Sequence, residues 1–255
     1  MSTRSTLSTD AAWRHLHEKA SAPYRQAGKF GWHFARGKLG RDPAFRGMLE
    51  RRLVDARHGR ILDIGSGQSL TASLLTEAAA MQAAGRWPAD WPVTPARIEY
   101  TGIELMPKDV ARAQAAIGHF VPTPRLLCAD MCNAPLPACD LVVILDVLHY
   151  VDLAAQEGVL QRVHQALSPG GRLLLRVGDA GSTRGFAISQ WVDRTVTRVR
   201  GHRVSPTWGR TLVEWKALLQ RLGFAVQSIP MSQGTPFANV LLVADLAPSP
   251  LPIRS

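Results

Sequence analysis

The sequence predicts a doubly wound α/β fold with a sheet of about seven strands, the last of them reversed. Short runs rich in Val, Ile and Leu alternate with helical segments over residues 59–179, which is typical of a parallel sheet covered on both faces. A glycine turn, "DIGSG", follows the first run. Near the C-terminus, two apolar runs are separated only by "SQGTPFA". So short a connection predicts that these two strands pair antiparallel.

The elements follow in chain order. Residues 1–23 are polar and weakly periodic, which indicates a helix or a loose arm, and Asp42 with Pro43 has the residue types of a helix start. Asp152 is expected to cap a helix that places Leu160, Val163 and Leu167 on one face and stops at "SPGG". The last helix lies in "TLVEWKALLQRLGF" and ends near Gly223. Strands are predicted in "GRILDIG", "ARIEYTGIEL", "PRLLCAD", "CDLVVILDV", "GRLLLRVGD", "FAVQSIPM" and "NVLLVADL".

Composition narrows the class of protein. With 255 residues and 46% hydrophobic residues, the chain can build a sizeable core, and no apolar run reaches the roughly 18 residues of a membrane helix. The first thirty residues have no apolar core of a secretory signal, and the three cysteines (Cys128, Cys132 and Cys139) form no zinc-ligand pattern. We therefore expect a cytoplasmic protein with reduced thiols.

The net charge of +10 raises the question of a nucleic-acid partner. Most of the 30 basic residues are Arg, and they are scattered along the chain. This distribution favours a solvated, Arg-rich surface, so we expect no nucleic acid among the partners.

The predicted domain organisation has three parts. Residues 1–45 form an N-terminal helical arm or lid, residues 46–247 form the main domain, and residues 248–255 form a flexible tail. A helical segment is inserted at about 181–207, and the Ala-, Pro- and Trp-rich stretch 78–96 is interpreted as an insertion after the first helix of the main domain.

Two cofactor classes use a glycine turn after the first strand. A dinucleotide fold needs a third glycine where this chain has Leu70, and an acid about 20 residues later that is missing here. The pattern Asp63-x-Gly65-x-Gly67, in contrast, resembles motif I of the class I S-adenosylmethionine-dependent methyltransferases, a Rossmann-like family. The alternative is a tight strand–helix turn flanked by ordinary surface acids.

This resemblance extends over roughly residues 55–245. Glu104 ends "YTGIEL", Asp130 ends "LLCAD", and "DLVVILDVLHYV" and "LSPGGRLLLRV" resemble the fourth-strand and fifth-strand motifs. The resemblance implies S-adenosylmethionine as cofactor and S-adenosylhomocysteine as product, with Glu104 on the ribose hydroxyls, Asp130 near the adenine and Asp63 attracting the ammonium directly or through water. The residues implied at the cofactor are Asp63, Gly65, Ser66, Gly67, Glu104, Leu105, Asp130, Met131, Asp146 and Val147.

The segment after the fourth strand bears on the methyl acceptor. It carries neither the Asn/Asp-Pro-Pro-aromatic motif of amino-group methylases nor the cysteine of cytosine-C5 enzymes. The fifth strand is followed by Asp179-Ala180, where metal-dependent catechol enzymes have Asp-Asn, so we expect no catalytic metal. What remains is O- or C-methylation of a small aromatic or acyl acceptor, free or bound to a carrier protein. His149 is the candidate general base; the alternative is that it caps a helix or packs against the cofactor.

Aromatic side chains supply candidate acceptor contacts. The segment 24–40 interleaves aromatic residues with cations, which suits either a lid over the acceptor or an amphipathic helix docked on the sheet. We expect the acceptor to lie between this segment and the His149–Tyr150 pair. The candidate acceptor-binding residues are Tyr24, Phe30, Trp32, His33, Tyr150 and Trp191.

A narrower resemblance concerns the pathway. "GKFGWHFARGKL", "VVILDVLHYVD" and "GTPFANVLLVA" resemble methyltransferases encoded with aryl polyene or related polyketide-type pigment pathways, which implies a role in secondary metabolism. Two other interpretations stay open: an RNA-modifying methyltransferase, and a non-catalytic scaffold with a methyltransferase fold.

Overall fold

The computed structural model describes residues 8–178, 208–231 and 239–247. Two short 3₁₀ helices lie at Ala22–Ala27 and Leu148–Tyr150. The α-helices are α1 (Thr9–Ser21), α2 (Gly28–Arg41), α3 (Pro43–Glu50), α4 (Leu70–Ala83), α5 (Pro107–Ile117), α6 (Leu153–Ala166) and α7 (Leu212–Arg221).

The strands form one seven-stranded sheet in the order β3-β2-β1-β4-β5-β7-β6. β1 pairs parallel with β2 and β2 parallel with β3, whereas β7 pairs antiparallel with both β5 and β6. The predicted doubly wound sheet with a reversed last strand is therefore confirmed. The strands are β1 (Arg60–Ile64), β2 (Glu99–Glu104), β3 (Arg125–Cys128), β4 (Cys139–Leu145), β5 (Leu167–Gly178), β6 (Phe224–Pro230) and β7 (Asn239–Leu246).

The chain divides into two compact units, Met1–Leu141 and Val142–Ser255. In the first unit, apolar side chains of β1 and α4 are fully buried, including Leu62, Leu74 and Leu75. In the second unit, Leu174 and Leu242 are fully buried on the antiparallel strands β5 and β7. Each unit thus has an apolar core of its own.

Helix starts follow the sequence signals. The Asp42 side chain accepts a hydrogen bond from the backbone N–H of Ala44 at 3.0 Å, and Asp152 accepts one from Ala155 at 2.8 Å. Each bond satisfies a backbone donor that the first helical turn leaves without a partner. Thr211 and Glu214 form a reciprocal capping box at the start of α7, which the sequence prediction did not identify.

One predicted boundary is wrong. Helix α6 ends at Ala166, and "SPGG" belongs to β5 instead of ending the helix. Leu167, expected on the helix face, is the first residue of that strand. The extension is explained by pairing near the end of β7, since the N–H of Gly170 donates to the carbonyl of Ala247 at 3.2 Å.

The N-terminal helices are part of the first unit's core. Leu16, Tyr24 and Leu39 are fully buried, and the Ser73 hydroxyl of α4 donates to the carbonyl of Ala20 at 2.7 Å. Of the two alternatives expected for residues 1–23, a helix or a loose arm, the helix is observed from Thr9 onward.

Several expectations are not tested. The boundaries at residues 45 and 247 stay predictions, and the expected insertion at 181–207 and tail at 248–255 lie outside the described residues. Among the described helices, none combines the length and apolarity needed to cross a bilayer.

Candidate active site

The turn after β1 is held by the neighbouring strand. Gly65 and Gly67 have φ angles of 70° and 55°, in the left-handed region that favours glycine. The N–H groups of Gly65 and Ser66 both donate to the carbonyl of Ile103 in β2, at 2.8 and 3.0 Å. The turn is therefore fixed against β2 before any ligand binds.

Glu104, the last residue of β2, completes this arrangement. Its Oε2 accepts the N–H of Gly67 at 2.8 Å, and its Oε1 accepts the N–H of Met106 at 2.8 Å. Burial raises the pKa of the carboxyl, and the backbone donors act in the opposite direction. A carboxylate has about four acceptor positions, and the backbone donors Gly67, Met106 and Leu105 do not fill all of them, so acceptor capacity remains for a ribose hydroxyl.

The same contacts argue against a phosphate ligand. A dinucleotide-binding turn offers its backbone N–H groups to the pyrophosphate. Here the three successive N–H groups of Gly65, Ser66 and Gly67 already donate to Ile103 and Glu104. The geometry fits a nucleoside held by its sugar better than a pyrophosphate held by backbone amides.

Space for such a ligand exists beside the turn. A Cβ at Gly67 would meet no atom within 4 Å, and Leu105, directly after Glu104, is 63% exposed. Asp130 follows β3 and is also exposed, and its Oδ1 accepts the N–H of Cys132 at 2.8 Å; Met131 is half-buried. An exposed leucine beside an acceptor carboxylate is a suitable surface for a purine ring.

Asp63 lies beneath the turn instead of facing solvent. It is buried, and its Oδ2 accepts the hydroxyl of Tyr100 at 2.7 Å. Burial, opposed by hydrogen bonds from Tyr100 and Thr71, raises the pKa of Asp63 to about 6. A direct contact with the cofactor's ammonium stays a prediction, since in this position Asp63 supports the turn from the core.

Gly102 was missed by the sequence interpretation. It pairs with Asp63 across β1 and β2, and a Cβ at this position would lie 2.9 Å from Ser66 Oγ and 3.1 Å from Ser69 Oγ. Only glycine lets the turn serines pack this closely on β2. No local signal identifies it, because the contacted serines lie more than thirty residues earlier in the chain.

The N-terminal aromatic segment makes two kinds of contact within the first unit, a hydrogen bond and a cation–π contact. Tyr24 is fully buried, and its hydroxyl donates to the carbonyl of Gln68 in the turn at 2.8 Å. Phe30 is 51% exposed and lies under the guanidinium of Arg112, 4.4 Å from the ring centroid. Trp32 is half-buried.

Cations also flank the indole of Trp32. Arg25 and Arg36 lie 5.4 and 5.7 Å from its ring centroid, and the exposed His33 lies 4.6 Å from it. Of the expected acceptor residues here, Phe30, Trp32 and His33 reach the surface, whereas Tyr24 supports the turn.

The second unit carries the other predicted residues. His149 and Tyr150 lie in the 3₁₀ helix after β4, with ring centroids 4.2 Å apart. His149 is half-buried and Tyr150 is exposed. The Asp146 carboxylate accepts hydrogen bonds from Nε and Nη2 of Arg176, and Val147 is half-buried. A cofactor contact of Asp146 or Val147 stays a prediction.

Some expected residues cannot be placed. Trp191, Asp179 and Ala180 lie outside the described residues. The prediction of no catalytic metal depends on the Asp179-Ala180 pair, so the described residues do not test it.

Comparison with known proteins adds a family. A family model described as a methyltransferase domain matches residues 32–229. Mouse acetylserotonin O-methyltransferase is 36% identical over 145 residues, which cover 49% of this chain and 34% of that protein. The tetracenomycin polyketide synthesis 8-O-methyl transferase of Streptomyces glaucescens is 39% identical over 80 residues, covering 30% of this chain and 24% of the relative. The match thus spans about a third or less of these relatives' length.

Solved structures agree on the fold. An O-methyltransferase family protein from Burkholderia thailandensis superposes with a TM-score of 0.58 at 16% identity, covering 89% of this chain and 63% of that chain. Human N-acetylserotonin methyltransferase, solved with S-adenosylmethionine, gives a TM-score of 0.51 at 19% identity, with coverage of 75% and 48%. At such identities the likeness concerns the fold, and the predicted class I methyltransferase fold is confirmed.

Proposed function

Because the chain belongs to the methyltransferase-domain family, we propose that it transfers the methyl group of S-adenosylmethionine to an oxygen atom of a small aromatic acceptor. The choice of oxygen is supported by the names of the similar proteins, an acetylserotonin O-methyltransferase and a polyketide 8-O-methyl transferase. The wider expectation, methylation of an aromatic or acyl acceptor at oxygen or carbon, contains this proposal.

One observation carries the proposal: Glu104 closes the glycine turn with one part of its carboxylate and keeps acceptor positions for a ribose. Its oxygens hold the N–H groups of Gly67 and Met106, each at 2.8 Å. Because both bonds already hold the carboxylate in place, binding a ribose diol costs little further side-chain entropy. The occupied N–H groups of the turn disfavour the dinucleotide alternative.

The bound cofactor would supply a sulfonium methyl group whose carbon an oxygen nucleophile attacks in line with the departing thioether. The tasks of the chain are then to hold the two reactants in line, to exclude water and to accept the hydroxyl proton. We assign the last task to an imidazole nitrogen of His149, because an imidazole titrates near neutral pH. His149 would thereby take up the proton that the acceptor hydroxyl loses when its oxygen is methylated.

The acceptor's surroundings are assigned on exposure and chemistry. In the first unit, Phe30, Trp32 and His33 of α2 present aromatic surface that reaches solvent, and in the second unit Tyr150 does so on its own. The adjoining cations Arg25 and Arg36 suit an acceptor with a negative group. We further propose an acceptor from aryl polyene or related polyketide-type secondary metabolism, free or carrier-bound; the 80-residue match to a polyketide O-methyl transferase supports it.

The test measures formation of S-adenosylhomocysteine against a panel of phenols, hydroxylated aryl acyl thioesters and transfer RNA. Turnover with phenolic acceptors, lost in Glu104→Ala and His149→Ala, supports the proposal. Turnover with RNA alone would replace it with the RNA-modifying alternative. Tight cofactor binding without turnover on any acceptor would leave the scaffold interpretation.

A further inference from the structure

We propose that Arg176 is a positioning residue whose forked contact with Asp146 fixes the turn carrying His149, while Gln156 secures the far end of that turn. The inference rests on the proposed function, in which His149 accepts the acceptor's proton. All of these residues lie in the second compact unit, Val142–Ser255.

The first observation is a buried guanidinium. Arg176 is 2% exposed near the C-terminal end of β5, where its strand neighbours Leu175 and Val177 are also buried. Its Nε donates to Asp146 Oδ1 at 2.8 Å, and its Nη2 donates to Oδ2. Because a planar fork meets both carboxylate oxygens, it fixes the carboxylate's rotation as well as its position.

The second observation concerns the backbone at Asp146. Its φ angle is 61°, in the left-handed region that non-glycine residues rarely adopt. The N–H of Asp146 also donates to the carbonyl of Arg176 at 3.3 Å, so main chain and side chain are both tied to one residue of β5. This backbone sets the direction in which the chain leaves β4 for the 3₁₀ helix Leu148–Tyr150.

The third observation concerns the Gln156 side chain, which contacts the other end of the turn. Gln156 in α6 is fully buried, and its Nε2 lies within hydrogen-bonding distance of the carbonyls of Leu148, Val151 and Trp208, at 3.2, 3.1 and 3.0 Å. Its Oε1 accepts the Nε of Arg210 at 3.0 Å. The Gln156 side chain therefore holds the main chain on both sides of residues 149–150.

A further backbone bond reaches the histidine itself. The N–H of Trp208 donates to the carbonyl of His149 at 2.9 Å. With the backbone held before, at and after His149, the imidazole position depends mainly on its own side-chain rotation. Such rigidity is what alignment of a proton acceptor requires.

Stability alone does not account for the pair of a buried Arg176 and a half-buried Asp146. Well-packed apolar residues in place of a buried ion pair are often neutral or stabilising. A forked pair three residues before the candidate base is better explained by its effect on the position of the turn that carries His149. Arg172 offers a comparison, since it makes a similar forked contact with Asp245 four residues earlier on the same strand.

The experiment compares Arg176→Lys, which keeps the charge and removes the fork, with Asp146→Asn, which keeps the shape and tolerates the left-handed backbone. Arg172→Lys is the matched control. Three quantities are measured: the ¹⁵N-imidazole NMR signals of His149, assigned with His149→Gln; the affinity for S-adenosylhomocysteine; and kcat, KM and the pH–rate profile with the best acceptor.

We expect Arg176→Lys to move the His149 signals, lower kcat by roughly 10–100-fold and alter the acidic limb of the pH–rate profile, with cofactor affinity within about threefold. Arg172→Lys should change none of these. Asp146→Asn, the second and independent variant, should move the His149 signals in the same way.

Two results would overturn the inference. One is a folded Arg176→Lys or Asp146→Asn protein with unchanged His149 signals. The other is a shift of signals throughout the unit with parallel loss of cofactor binding, which would reduce Arg176 to a purely structural role. If the parent protein methylates no acceptor, the proposed function fails, and the imidazole signals still decide this inference.

Discussion

Burial of the Asp63 carboxyl raises its pKa to about 6, against an ordinary value of 3.8. Since the native state binds its proton more tightly than the unfolded chain does, Asp63 favours folding below pH 3.8. That contribution is lost as the pH rises through 6. The full difference corresponds to about 3 kcal/mol at 1.36 kcal/mol per pKa unit.

Replacing Asp63 by Asn removes this pH dependence. We predict that the free energy of unfolding of Asp63→Asn, minus that of the parent protein, rises by up to about 3 kcal/mol between pH 4 and pH 7. Urea unfolding at several pH values measures it, with Asp90→Asn in the exposed loop as control. A difference that stays constant over this range would show that Asp63 is not held as the structure describes.

Gly102 gives a second prediction at the residue scale. In Gly102→Ala the new methyl group must displace Ser66 Oγ, now 2.9 Å from the Cβ position. We expect a loss of about 1–3 kcal/mol in unfolding free energy and weaker binding of S-adenosylhomocysteine, because the displaced serine belongs to the glycine turn that we propose holds the cofactor.

The control for Gly102 lies in helix α6. A Cβ at Gly158 would meet no atom within 4 Å, so Gly158→Ala should stabilise the protein by up to about 1 kcal/mol and leave binding unchanged. Equal stability of Gly102→Ala and the parent protein would contradict the close packing described at β2.

At the scale of elements, the N-terminal segment is hydrogen-bonded to the glycine turn. Tyr24 donates to Gln68 in the turn, and Phe30 stacks under Arg112 of α5. Deleting residues 1–35 would remove the fully buried Leu16 and Tyr24 and is expected to disrupt folding. Substitutions on the exposed side of α2 therefore test its role in acceptor binding better than truncation does.

For α2 we predict that Phe30→Ala and Trp32→Ala lower kcat/KM for an aromatic acceptor at least about tenfold, because each removes aromatic contact surface. Cofactor affinity should stay within about threefold, as neither side chain bonds the glycine turn. Steady-state kinetics and calorimetry measure the two effects, with the exposed Val121→Ala as control. Unchanged kinetics in both variants would contradict a role of α2 in acceptor binding and leave it as a helix that only packs against the rest of its unit.

The elements also show what sequence patterns can and cannot predict. The caps at Asp42 and Asp152, the glycine turn and the reversed last strand depend on local residue types and short connections, and all four were predictable. The roles of Gly102 and Arg176 depend on partners thirty or more residues away in the chain. The "SPGG" boundary was wrong for a related reason, since pairing with β7 outweighs the local turn preference.

At the scale of the whole molecule, the family and the seven-stranded sheet with its reversed last strand agree with the sequence prediction, whereas the catalytic assignment stays a proposal. Metal independence is one of its consequences. Within the described ranges, no group of three or more His, Cys, Asp or Glu residues is arranged to hold a metal ion. We predict that EDTA leaves turnover unchanged; a loss that Mg²⁺ restores would show that the end of β5 was misinterpreted.

The central claim is that the glycine turn and Glu104 hold S-adenosylmethionine at the end of β2, and calorimetric titration of S-adenosylhomocysteine tests it most directly. Glu104→Ala is compared with the parent protein and with Glu99→Ala at the opposite, exposed end of the same strand. We predict unchanged affinity for Glu99→Ala and a loss of about 1.5–3 kcal/mol for Glu104→Ala, the scale of hydrogen bonds to a charged group. Equal affinity in all three proteins would contradict the account.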